Sequence, residues 1–261
     1  MRMSPVIPPD ERPLLVCRVD CPPPLQEELD GWTPWHFDDF GRHYAVLGAS
    51  SYKIIRDFDP ENGLPAAFNA SQATRFIPYV ATSIPDMHAW IGSEVVTGGL
   101  DEPTLERESK YPTLEQEPFN GTMMTISKVV GAIGRDQVGS GGCIAERFEV
   151  GPEHAEEFDE WLDGPHLASY AALDGWVRIR TCRADRTADY AFPWNRYLGK
   201  GNRMIWCELS AEVDPKEFVR SPEYNAILQS SLRWDALLPY ITREACEEFI
   251  ARDLSHIPSA V

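Results

Sequence analysis

Two stretches of this chain, half its length apart, carry one pattern. The segment Val16–Cys21 (VCRVDC) precedes a proline run, then Glu27–Trp32 (EELDGW) and His36. The segment Ala145–Val150 (AERFEV) precedes Gly-Pro, then Glu156–Trp161 (EEFDEW) and His166. Arg18 maps to Arg147, Asp20 to Glu149, Leu29 to Phe158 and Trp32 to Trp161, each at an offset of 129, while His36 maps to His166 at 130. An internal repeat this long predicts two copies of one structural unit, each with a place for the same site.

The chain of 261 residues is 43% apolar, enough for a packed core. A net charge of −17, from 41 acidic and 24 basic residues, argues against nucleic acid and anionic membranes as partners, since both select basic patches. No apolar run approaches the ~20 residues of a membrane span and no charged-then-apolar leader opens the chain, so the expected location is the cytoplasm. None of the six cysteines forms a CxxC pair, and they read as small buried hydrophobes in a reducing compartment.

Each copy reads as β-α-β-β-α-β. The first runs through a strand at 14–21, a helix from Leu25 to about Gly41 interrupted at Pro34, strand material within 43–57, a strand at 75–83, a helix at 86–96 and a strand at 122–133. The segments 59–74 and 97–120 read as loops. The second has strands at 143–150, 176–182, 203–211 and 244–251, a helix from Pro152 to about Leu173, and a helix from Pro215 to Tyr240 broken near Pro222. The expected division is a first unit at 1–134, a linker at 135–142 and a second unit at 143–261, with Gly139–Gly142 (GSGG) as flexible composition. The fold class is α+β: two tandem ferredoxin-like units packed sheet to sheet, because the bare face of each four-stranded sheet must be covered. An internal two-fold of this kind satisfies the sheet face, and a further homodimer is compatible with it.

The pattern Glu156–Leu167 (EEFDEWLDGPHL), followed by Asp174-Gly175 and an arginine-bearing strand, resembles the dimeric α+β-barrel superfamily. Within it the chain is most similar to the EthD-type branch. The second half carries the motif well. The first has Trp35-His36-Phe37 where the family has an acidic residue, histidine and an aliphatic residue. The resemblance implies a barrel of two ferredoxin-like sheets, a histidine at the end of the first helix over the barrel mouth, and chemistry on small molecules. Some relatives bind haem through a histidine, but no pattern here singles out such a ligand.

Strand alternation sends Val16, Arg18 and Asp20 in the first copy, and Ala145, Arg147 and Glu149 in the second, toward the barrel, with Met204, Trp206 and Glu208. These charges read either as cross-paired structure or as a polar pocket floor. His36 and His166 are the catalytic candidates, because imidazole moves protons near neutral pH without a cofactor. His36 has Trp32, Trp35 and Phe37 around it and Asp38-Asp39 beside it, where a carboxylate could orient the ring. His88, beside Trp90, is a lesser candidate. No GxGxxG, P-loop, GxSxG or HExxH motif is present, and no metal site is expected.

The expected function is a cofactor-independent lyase or isomerase (a dehydratase, decarboxylase or cyclase) acting on a small hydrophobic or aromatic molecule. His36 would be its base, oriented by Asp39 or Asp38, and Arg18, Arg147 or a barrel carboxylate would hold developing charge. A cofactor-free monooxygenase and a non-catalytic small-molecule binder are the alternatives.

Overall fold

The computed structural model describes residues 12–40, 43–56, 61, 63–71, 73–91, 121–131, 141–185 and 200–254. The expected loop at 97–120, most of the linker and most of the loop at 185–202 lie outside them.

Eight antiparallel strands close a barrel: β1 (Leu14–Val19), β2 (Val46–Ile54), β3 (Arg75–Ala81), β4 (Gly121–Gly131), β5 (Gly142–Glu149), β6 (Trp176–Ala184), β7 (Arg203–Leu209) and β8 (Tyr240–Asp253). Their order around it is β1-β3-β2-β8-β5-β7-β6-β4. The first four strands therefore stand as β4-β1-β3-β2 and the last four as β8-β5-β7-β6, the same order twice and consistent with two ferredoxin-like halves. β2 joins β8, with Ile54 opposite Cys246, and β4 joins β6, with Met124 opposite Ala184.

Alternation sorts the side chains as the sequence predicts. Leu14, Val16, Cys143, Ala145, Met204 and Trp206 share the inner cluster. Ile144, Phe148, Ile205, Cys207 and Leu209 pack outward under the second half's helices. Tyr52, Phe76 and Trp206 meet in the barrel, ring centroids 5.9–6.4 Å apart, and Arg180 lies 4.6 Å over Trp206.

The helices lie outside the barrel. In the first half α1 (Gln26–Phe40) continues through Pro34 rather than restarting there, and α2 (Ile84–Ile91) follows β3. In the second half the expected helix to Leu173 is split. Here α3 (Ala155–Trp161) and α4 (Leu167–Ala171) are joined by a π-type turn, Leu162–His166, in which Gly164 is non-helical at φ −113°, ψ −105° and Pro165 follows. The break at Pro222 divides α5 (Pro215–Arg220) from α6 (Pro222–Ser231). Asp214 and Ser221 cap them through the amides of Lys216 and Tyr224, 2.8 and 3.1 Å away, each with proline just inside the helix. The last strand begins at Tyr240, four residues before the expected start, because the turn after Trp234 ends the helical stretch.

Among the described residues, no helix is long and apolar enough to cross a membrane.

Candidate functional site

The one-residue slip between the histidines has a local cause. His36 follows Trp32 by four residues on a regular helix, and the two rings lie 4.0 Å apart at 31°. His166 follows Trp161 by five residues, yet those rings lie 4.1 Å apart at 25°. The π-type turn between them takes up the extra residue, so both histidines stack on the tryptophan of their own helix.

Their partners differ. The Nε2 atom of His36 is 3.2 Å from the Tyr79 hydroxyl on β3. His166 Nε2 is 3.8 Å from Glu146 Oε1 on β5, and neither ring nitrogen has a hydrogen-bond partner. Strand register shows how the halves traded residues. Cys17 of β1 stands where Glu146 stands, at the offset of 129, and Cys207 of β7 stands where Tyr79 stands, because Leu15–Tyr79 and Ile144–Cys207 are equivalent pairs.

Around His166 a polar cluster lies between sheet and helices. Tyr170 and Tyr224 both donate to Glu146 Oε1, the latter at 3.2 Å, and their hydroxyls are 2.9 Å apart. The Nε atom of Arg243 is 3.3 Å from Glu146 Oε2. Its other nitrogens reach Asp235 at 2.7 and 3.1 Å and Ser231 at 3.0 Å. Glu146 is fully buried. A buried carboxylate is tolerable only when hydrogen-bonded and paired, and here it has both. Burial drives the phenol pKa of Tyr170 and Tyr224 well above 10, and the carboxylate adds to it. Burial lowers the His166 pKa to about 4, against the pull of Glu146, and that of His36 to about 3. Both imidazoles are neutral at pH 7 and can accept a proton.

Glu146, Tyr170, Tyr224 and Arg243 were not among the sequence candidates. One signal was available: alternation puts Glu146 on the helix-facing side of β5 between Ile144 and Phe148, a charge in an apolar row.

The other candidates are dispersed. Arg18 lies inside the barrel and donates from Nε to Glu244 at 3.0 Å and from Nη2 to Ser71 at 2.9 Å. Arg147 donates to Thr122 Oγ1 at 3.1 Å and to the Lys200 carbonyl at 2.6 Å. Both arginines reach across to the other half, and Thr122 occupies the position equivalent to Glu244, opposite Val16 as Glu244 is opposite Ala145. Glu208 accepts from Arg178 and Arg180, each at 2.6 Å. Trp206 is fully buried among the inner aromatics. Glu149, expected to face the barrel, instead lies at the end of β5 and accepts from the Gly201 amide at 2.7 Å. Asp20, expected beside it, is half-buried beyond the end of β1.

The expected orientation of His36 by Asp38 is not met. Asp38 is exposed and faces Arg252 at 3.6 Å. The side chain of Asp39 lies outside the described residues. Trp35 is 51% exposed, whereas Phe37 is core. His88 is half-buried on α2, remote in sequence and element from both histidines. His36 faces a phenol, and His166 is held between Trp161 and Tyr170. Among the described residues no group of three or more His, Cys, Asp and Glu is arranged to hold a metal.

No protein-family model and no curated protein matches the chain. Solved structures do. An anthrone oxidase-like protein aligns with TM-score 0.64 and 14% identity over 98% of this chain and 100% of its own. A candidate monooxygenase from Fusobacterium nucleatum aligns with TM-score 0.56 and 10% identity over 93% and 95%. One from Lactobacillus acidophilus aligns with TM-score 0.52 and 12% identity over 94% and 97%. These likenesses show the fold alone, a mixed α+β structure built on an eight-stranded antiparallel barrel of ferredoxin-like type.

Proposed function

We propose that this chain is an enzyme acting on a small, enolisable aromatic or hydrophobic molecule, with His166 as the base that removes its proton. One observation carries the reading. A neutral, buried imidazole stands 3.8 Å from a carboxylate that two phenols and an arginine hold in place. When His166 takes a proton it becomes an imidazolium beside Glu146, and the ion pair offsets the cost of charging a buried ring. Arg243 pairs with Glu146 from one side, and Tyr170 and Tyr224 fix its rotamer from the other. This moves the favoured site from the first half to the second, since Arg18 and Arg147 lie inside the barrel, on the opposite face of the sheet from Glu146.

The carbanion has two fates. Reprotonation or loss of a leaving group makes the enzyme an isomerase or lyase. Capture by molecular oxygen gives a hydroperoxide, and loss of water from it converts CH₂ to C=O without a cofactor. The names of the three similar structures favour the oxygen route. The deciding experiment measures turnover of an anthrone-type substrate by wild type, His166→Ala and His36→Ala, in air and under nitrogen. The reading expects loss in His166→Ala, retention in His36→Ala, and oxygen consumption matching product. Full activity in His166→Ala ends it, and undiminished anaerobic turnover moves the enzyme to the lyase and isomerase class.

We further read the repeated strand order and the 129-residue offset as a tandem duplication, and the Phe158, Trp161 and His166 motif as nearest the EthD-type branch.

A further inference from the structure

On the outer side of Trp161 lies a groove of about 750 Å³, bounded by α3 and α6 and lined in part by Glu157, Glu160, Trp161, Pro165, Gln229 and Arg233. That volume suits a molecule of two or three fused rings. We propose that this groove binds a planar, hydroxylated aromatic ligand, and that Trp161 is the residue that separates the bound ligand from His166 and governs its access. The inference rests on the proposed role of His166 and names the substrate class and entry route of that site.

Three observations converge on it. Trp161 is a shared wall, lining the groove and stacking His166 at 4.1 Å with only 6% of its own surface exposed. Arg233 holds its guanidinium 5.7 Å from the Trp161 ring and 4.8 Å from that of Trp234, so a flat ring entering the groove meets a planar guanidinium that can stack on it and donate to a phenolate or enolate oxygen. Behind the wall, His166 is 1% exposed and both its ring nitrogens lack hydrogen-bond partners. An unsatisfied buried polar group is costly, and a ligand hydroxyl or acidic C–H that replaces the indole would relieve it. Glu157 and Glu160 on the rim disfavour ligands with several negative charges, so the match is a phenol with a single ionisable oxygen beside Arg233. The turn at Gly164-Pro165, off helical geometry, adjoins the wall.

The test uses 1-naphthol as probe and two readouts. Binding is followed by calorimetry in wild type, Arg233→Gln and His166→Ala. Arg233→Gln should weaken it at least tenfold and His166→Ala less than threefold. Carbethoxylation of His166 by diethyl pyrocarbonate is followed by mass spectrometry in wild type and Trp161→Leu. Removing the wall should speed it at least tenfold, while His36, stacked on Trp32, keeps its rate and reports that the fold is intact. If Trp161→Leu does not fold, the calorimetric arm decides alone. Naphthol binding unchanged in Arg233→Gln, or no binding in wild type, overturns the groove assignment. Unchanged His166 reactivity in a folded Trp161→Leu overturns the gate. Neither outcome touches the turnover of His166→Ala, which tests the base separately.

Discussion

Arg203 clasps Asp159 through two hydrogen bonds, Nε to Oδ1 at 2.5 Å and Nη2 to Oδ2 at 3.0 Å, tying β7 to α3. Arg75 and Asp30 make the equivalent tie between β3 and α1, Nη2 to Oδ1 at 2.8 Å. Arg75 stands opposite Val19 as Arg203 stands opposite Phe148, and Asp30 precedes Asp159 by 129 residues. The two halves therefore share a helix-to-sheet clasp at equivalent positions. Truncating Arg203 to alanine should destabilise the fold by about 1–3 kcal/mol, since a partly buried charged hydrogen bond is lost and Asp159 keeps only a longer contact to Arg183. Urea unfolding measures it, and Arg75→Ala should cost a similar amount.

Glu146→Ala is a sharper lesion. It leaves two buried phenols without their acceptor and removes one carboxylate from Arg243, whose remaining partner Asp235 is 38% exposed. Removing one member of a buried charged network costs about 3–5 kcal/mol. Glu146→Gln keeps a hydrogen-bond acceptor and should cost less than half as much, yet on the proposed mechanism it should lose activity as fully as Glu146→Ala. Paired denaturation and turnover measurements separate the two effects.

Acid should weaken the fold through its histidines. The unfolded chain takes up a proton on each near pH 6.5, whereas folded His166 resists until about pH 4 and His36 until about pH 3. A depressed folded pKa on a base means that the unfolded state binds more protons between those values, so stability falls as pH drops below 6.5. The slope is about 1.4 kcal/mol per pH unit for each histidine. Thermal melts at pH 7, 6 and 5 should steepen accordingly, and His36→Gln or His166→Gln should each remove its share of that slope. If His166 is the base, the acid limb of kcat should lie near pH 4 rather than near 6.5.

None of the six cysteines is in a disulfide, and five are fully buried, with Cys17 half-buried. Burial raises Cys21 to about 11 and Cys182 to about 12, which keeps their thiolate fractions negligible. A disulfide-exchange reagent at pH 8 should therefore label one thiol in the native protein and six in urea, with peptide mapping placing the first at Cys17.

The architecture was legible because its signals are local and periodic. Alternation in Val16–Arg18 and Met204–Glu208 assigned inner and outer faces correctly, and Pro222 marked its break. The site was less legible. Asp38 adjoins His36 in sequence, but two residues along a helix turn a side chain through about 200°, and it faces Arg252 instead. The polar cluster beside His166 is drawn from β5, α4, α6 and β8, and its convergence depends on tertiary packing that no linear spacing encodes. The histidine slip was visible, but its meaning was not, since a π-type turn hides one residue without moving the ring.

Closing the barrel within one chain has a consequence for its buried charge. A dimer of identical subunits must bury every interior carboxylate twice. Here the buried carboxylates among the described residues, Glu146, Glu208 and Glu244, all belong to the second half, and Cys17, Val80 and Thr122 hold the equivalent places in the first. The desolvation of each is met once per barrel instead of twice. The chain thereby concentrates its buried carboxylates in one half, while the other contributes the cation Arg18 that meets one of them.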